Sequence, residues 1–123
     1  MRKLERLRVI DYLGHIVDAI DRIYRYVDGM TELAFLDDEK TQDAVVRNFE
    51  VLGEAAHNIE QFHAAFATAH SQVPWRLMYT MRNRVSHAYF NVDFGLVWRT
   101  IGADLPELRN LVSALVLKTS VAD

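Results

Sequence analysis

Apolar residues recur along this chain at steps of three and four almost throughout, the spacing that lines one face of an α-helix. Leu4, Leu7, Leu13, Ile16, Val17, Ile20, Ile23, Tyr24 and Val27 predict one long first helix, stopped by Gly29. Thr31 suits the cap of a short helical turn through Phe35, and Asp37, Asp38 and Glu39 suit the positive end of a second long helix. Its inward face is Ala44, Val45, Asn48, Phe49, Leu52, Ala55, Ala56 and Ile59, as far as about Phe62, with small residues that permit close helix approach.

Pro74 predicts the first turn of a third helix, where the N–H it lacks would have no partner anyway. Phe94, Val97, Trp98 and Ile101 predict a further helical segment starting near Asp93 and interrupted by Gly102 and Pro106. Asp104 and Glu107 have the spacing of a capping box, restarting a helix that carries Leu105, Leu108, Leu111, Val112, Leu115 and Val116. No segment shows the period-two alternation of a strand. The economical architecture is all-α, an up-and-down bundle of four main helices with a kinked or split C-terminal helix.

Composition narrows this picture. A chain of 123 residues is expected to form a single domain over 1–123. At that size folding buries roughly two-thirds of the unfolded surface. The absence of cysteine removes disulfides and thiolate metal sites and is compatible with a reducing cytoplasm. No long uncharged apolar run and no signal peptide are visible, since Met1 to Arg8 alternates charge with leucine; a soluble, cytoplasmic protein without a membrane partner is expected. A formal net charge of −3 argues against a general grip on long nucleic acid, which grows with the number of phosphates neutralised.

The chemistry is concentrated in Arg82-Asn83-Arg84-Val85-Ser86-His87-Ala88-Tyr89. A guanidinium neutralises phosphate charge, and an imidazole, with an unperturbed pKa of about 6.5, exchanges protons near neutrality. From Gln61 to Val92 there is no Asp or Glu, which predicts a comparatively positive region suited to contact with one or a few phosphates. On an ideal helix Asn83 and His87 share a face, whereas Arg82 and His87 stand about 140° apart. They converge only if the arginine bends back, if the helix ends before His87, or if a second copy of the chain completes the site.

Structural roles compete for each residue. A histidine near a helix C-terminus is a favourable partner for the helix dipole, Tyr89 and Phe90 suit a core, Arg84 suits solvent, and Asn83 suits a structural hydrogen bond as readily as orienting the imidazole or contacting a substrate. Arg47, Asn48, Glu50 and Glu54 read as structural polar groups of the second helix. His15 reads as a half-buried packing residue. His57, His63 and His70 lie six and seven apart, not at the three or four that sets two ligands on one helical face, so no metal site is expected.

The R-x4-H-x-Y pattern after a proline-started helix resembles the HepT-like branch of the HEPN superfamily, ribonuclease toxins of two-gene toxin-antitoxin modules. The resemblance extends through Thr41-Gln42-Asp43-Ala44 and Arg47-Asn48-Phe49-Glu50-Val51-Leu52-Gly53-Glu54-Ala55-Ala56, Pro74-Trp75, Trp98 and Asp104-Leu105-Pro106, covering essentially the whole chain in order. It implies a HEPN-like homodimer whose two motifs meet in a composite cleft and cut RNA without a metal or other cofactor. By the same resemblance His87 acts in proton transfer at the ribose 2′-OH and Arg82 holds the scissile phosphate, giving a 2′,3′-cyclic phosphate and a 5′-hydroxyl. It further implies that a cognate minimal nucleotidyltransferase antitoxin transfers AMP from ATP to Tyr89 and silences the enzyme. The competing expectation is a non-catalytic nucleotide-binding or docking subunit of a nucleotidyltransferase pair, in which Arg82 and His87 grip phosphate without cleaving RNA.

Overall fold

A computed structural model describes residues 7–88 and 91–122, without the side chains at 82, 85–88, 91, 121 and 122. The described elements run α1 (Val9–Val27), α2 (Glu32–Leu36), α3 (Glu39–Phe62), α4 (Ala64–Ala69), α5 (Trp75–Val85), β1 (Ser86–Ala88), β2 (Asn91–Val92), α6 (Phe94–Ala103) and α7 (Leu105–Ala122). The architecture is all-α, as the spacing predicts. The four main helices are α1, α3, α5 and the split pair α6 and α7. Central α3 packs on both α1 and α5, α7 packs on α1, and α2 bridges α3 and α6.

Local chemistry fixes most boundaries. The Thr31 hydroxyl accepts from the Ala34 N–H at 3.1 Å, starting α2, and the Asp38 carboxylate accepts from the Thr41 N–H at 3.0 Å, starting α3. That hydrogen bond holds the Asp38 carboxyl below its usual range. Gly29 takes a φ of 77° in the turn after α1, a conformation that suits a residue without Cβ. Helix α1 begins at Val9, so Leu7 precedes it and is exposed, and Leu4 lies outside the described residues.

Leu13, Ile16, Ile20 and Ile23 of α1 are fully buried against Val45, Phe49, Leu52, Ala56 and Ile59 of α3, and Val112 of α7 closes the same core. Burying a side chain of this size contributes about 1.5–3 kcal/mol. On the α1–α7 seam the Arg109 guanidinium donates to both carboxylate oxygens of Asp21, at 2.6 and 3.1 Å, and holds that carboxyl below its ordinary value. Among the described residues no helix is long and apolar enough to cross a membrane.

Buried Gln42 is a polar clasp that the apolar pattern does not announce. Its amide donates to the carbonyls of Phe35 and Leu36, both at 3.0 Å, tying the end of α2 to the start of α3. Replacing Gln42 by Ala removes both bonds, leaving the Phe35 carbonyl with the Asp38 N–H at 3.2 Å, and should cost about 1–3 kcal/mol. Urea unfolding of the variant is expected to show a lower midpoint with an unchanged slope.

Two differences from the sequence expectation bear on function. The connection after α3 contains its own short helix, α4, whose Ala67 carbonyl accepts the Trp75 indole N–H at 3.2 Å. The chain after Val85 leaves the helical path for an antiparallel hairpin, β1 with β2, in which Ser86 faces Val92 and Ala88 faces Asn91. A hairpin this short cannot display alternation in sequence. A fold that is otherwise helical accommodates it because Val92 packs on the core and the Asp93 carboxylate, accepting from the Leu96 N–H at 3.0 Å, starts α6 directly behind it.

Candidate nucleic-acid site

Helix α5 carries the first half of the motif, and its seat on α3 is set by shape. Trp75, Met78 and Met81 are buried, fixing the inward face of α5 up to the residue before Arg82, and Val73 just ahead of the helix is buried as well. On α3 the small residue Gly53 lies against the α5 backbone. A Cβ placed there would come within 3.1 Å of the Met78 carbonyl oxygen and 3.4 Å of the Tyr79 carbonyl oxygen. This close approach falls at a glycine outside the inward face expected from sequence, one turn before the motif.

The end of α5 is tied down from the other side. The Arg84 guanidinium donates to the Asp104 carboxylate at 3.0 Å, joining α5 to the α6–α7 junction. Asp104, whose spacing suggests a capping box with Glu107, therefore has its carboxylate engaged across the fold, while its backbone carbonyl accepts from the Leu108 N–H at 3.3 Å. Pro106 falls in the first turn of α7, where its missing N–H is harmless.

The backbone separates the two halves of the motif. Arg82 belongs to the last turn of α5, whereas His87 is the middle residue of extended β1. The helical separation of about 140° therefore does not apply, because the helix ends at Val85. The helix does stop before His87, one of the three arrangements left open by the sequence. Asn83 is exposed on α5. The side chains of Arg82 and His87, and all of Tyr89 and Phe90, lie outside what is described.

Charge around the motif is more balanced than the acid-free window suggests. Arg84 meets Asp104 and Arg76 meets Glu60, at 3.0 and 3.2 Å, and both carboxylates come from outside the Gln61–Val92 stretch. Other polar groups also find local roles. The buried Asn48 amide donates to the Ala44 carbonyl at 2.8 Å, and Arg47 pairs with Glu50 at 3.7 Å. His15 is exposed rather than half-buried. It lines an open cleft of about 320 Å³ with Tyr12, Arg47, Glu50, Glu54 and Asn58.

The histidines that resemble no metal set in sequence lie on aromatic neighbours. His57 stacks on Tyr79 with ring centres 4.3 Å apart, His70 lies 4.4 Å from Phe66, and His63 bonds to the Leu7 carbonyl at 2.9 Å. Among the described residues there is no group of three or more His, Asp or Glu side chains placed to hold a metal ion.

Comparison with known proteins places this geometry in context. The family profile described as Ribonuclease HepT-like matches residues 16–115. A protein of Thermococcus cleftensis named "Probable ribonuclease HepT" is 41% identical over 99 residues, 80% of this chain and 87% of that protein. A protein of Caldanaerobacter subterraneus subsp. tengcongensis, provisionally named an RNase, is 34% identical over 87% of this chain and 93% of its own length. One from Methanocaldococcus jannaschii, also provisionally named an RNase, is 32% identical over 90% and 89%. No solved structure gives a significant match.

Proposed function

The chain belongs to the HepT-like ribonuclease family, and from that premise we propose that it is a metal-independent endoribonuclease acting in the cytoplasm as the toxin of a toxin-antitoxin module. The observation that carries the reading is the break at Val85, which puts Arg82 on a helix packed against α3 and His87 on the hairpin just beyond it. Such a layout lets a cation and a proton carrier approach one phosphate from different backbone elements.

In the proposed reaction the ribose 2′-oxygen attacks the adjacent phosphorus. The 2′-O–P bond forms, the P–O5′ bond breaks, one proton leaves the 2′-hydroxyl and one is delivered to the departing 5′-oxygen. The products are a 2′,3′-cyclic phosphate and a 5′-hydroxyl. His87 carries the proton and Arg82 stabilises the charge that develops on the phosphoryl oxygens. Asn83, exposed beside Arg82, supports RNA contact. In a homodimer the two motifs supply paired imidazoles, one as base and one as acid, in a shared cleft. The nucleophile belongs to the substrate, so base, acid and cation suffice.

Tyr89 is the proposed control point. A cognate nucleotidyltransferase antitoxin would use ATP to place AMP on its phenol, the phenolic oxygen losing its proton and displacing pyrophosphate from the α-phosphorus, and so bring bulk and phosphate charge against the RNA path. Intact-mass and peptide spectrometry of toxin co-expressed with that partner should show AMP additions on Tyr89 and none on a Tyr89→Phe variant. Additions confined to other residues would contradict the assignment.

A further inference from the structure

The stacked pair of His57 on α3 and Tyr79 on α5 has no part in the motif chemistry, yet Tyr79 stands on the same helix as Arg82. Their rings are nearly parallel, 22° apart, and both residues are half-buried. With Glu60, Gln61 and Arg76 they line an open cavity of about 340 Å³ between α3 and α5. The Arg76 side chain is 79% exposed and bonds through Nε to one oxygen of Glu60 at 3.2 Å. Gln61 is exposed at the rim. An aromatic platform, a guanidinium, a carboxylate and an amide around one cavity are the groups that proteins use on unstacked bases of single-stranded RNA.

The position of this cavity fits such a ligand. Tyr79 lies one turn before Asn83 on the same face of α5 and one turn before Arg82 in sequence. From Tyr79 to the end of α5 is about 9 Å at the helical rise, a span of roughly one or two nucleotides.

We propose that the His57–Tyr79 cavity is a nucleobase subsite that holds one base of single-stranded RNA beside the scissile phosphate. Stacking on the ring pair supplies affinity for any base. The Glu60 carboxylate accepts from an amino group on the base edge and favours bases that present one, and Arg76 meets a flanking phosphate. The subsite rests on the ribonuclease reading for its connection to cleavage, but base stacking itself does not depend on catalysis.

The test uses the full chain and a short 2′-O-methyl RNA, which lacks the nucleophile, with 2-aminopurine placed at successive positions. Wild-type protein is expected to quench one position strongly, and Tyr79→Ala and His57→Ala should each weaken binding roughly five- to a hundredfold while Tyr79→Phe retains it. Uniform quenching along the strand, or wild-type binding by folded Tyr79→Ala, would overturn the subsite. A change of oligomeric state in Tyr79→Ala that accounts for the lost binding would overturn it too, assigning the surface to protein contact. Should Tyr79→Ala fail to fold, the position-specific quench in wild-type protein and its loss in His57→Ala decide alone. Cleavage of ordinary RNA with no localised quench removes the subsite and leaves the ribonuclease; localised quench without cleavage removes the ribonuclease and leaves the subsite.

Discussion

Arg82→Ala and His87→Ala should each fold like the parent chain and lose RNA cleavage, by about 10²- to 10³-fold for the cation and about 10²- to 10⁴-fold for the proton carrier. Arg82 follows the buried Met81 near the end of α5 and His87 sits on β1 of the hairpin, while the core around α5 is set by Phe49, Met78 and Met81. Growth inhibition on expression should fall with cleavage. Because base and cation act on one transition state, the double variant should lose less than the product of the two single losses. Arg82→Lys is the informative conservative change. It keeps the charge but not the planar fork that grips two phosphate oxygens, and is expected to retain only part of the rate. A single alanine variant with full cleavage would remove that residue from the site.

The second large effect is expected at Gly53, where α3 and α5 touch through backbone. Two influences oppose each other in Gly53→Ala. Alanine gains up to about 1 kcal/mol of helix propensity, while its methyl would stand 3.1 Å from the Met78 carbonyl oxygen, a backbone atom that cannot rotate away. The net change should be small. Gly53→Leu adds a branched chain with no room for it, and overpacking of this kind costs about 1–3 kcal/mol or more. Thermal unfolding should drop by several degrees. Relief comes by moving α5 outward, so RNA cleavage is expected to fall further than stability alone explains, since Arg82 travels with the helix. A Gly53→Leu protein with unchanged melting and cleavage would show that the close approach does not position the motif.

How far the fold could be read from sequence depended on how local each determinant is. Thr31, Asp38 and Asp93 announce helix starts because a cap is completed within three residues. The apolar stripes of α1 and α3 are legible because burial follows one helical face over many turns. Helix α4 was not legible, since its run of alanines shows no amphipathic contrast, and it is held instead by Trp75 reaching the Ala67 carbonyl.

The candidate site was legible in its residue types and not in its shape. The octapeptide stands out by chemistry, but its helical projection fails at Val85, where tertiary packing of Val92 and the start of α6 override a pattern that would otherwise continue. Charge read from a sequence window missed Glu60 and Asp104, which reach Arg76 and Arg84 from 16 and 20 residues away. The stack of His57 on Tyr79 joins two helices and leaves no mark in either one.

The most direct measurement is the end chemistry of RNA incubated with purified, unmodified protein in excess EDTA. Cleavage yielding 2′,3′-cyclic phosphate and 5′-hydroxyl ends, abolished by either Arg82→Ala or His87→Ala, is the predicted result. Intact RNA, or cleavage that requires added metal and leaves 3′-hydroxyl and 5′-phosphate ends, would contradict it.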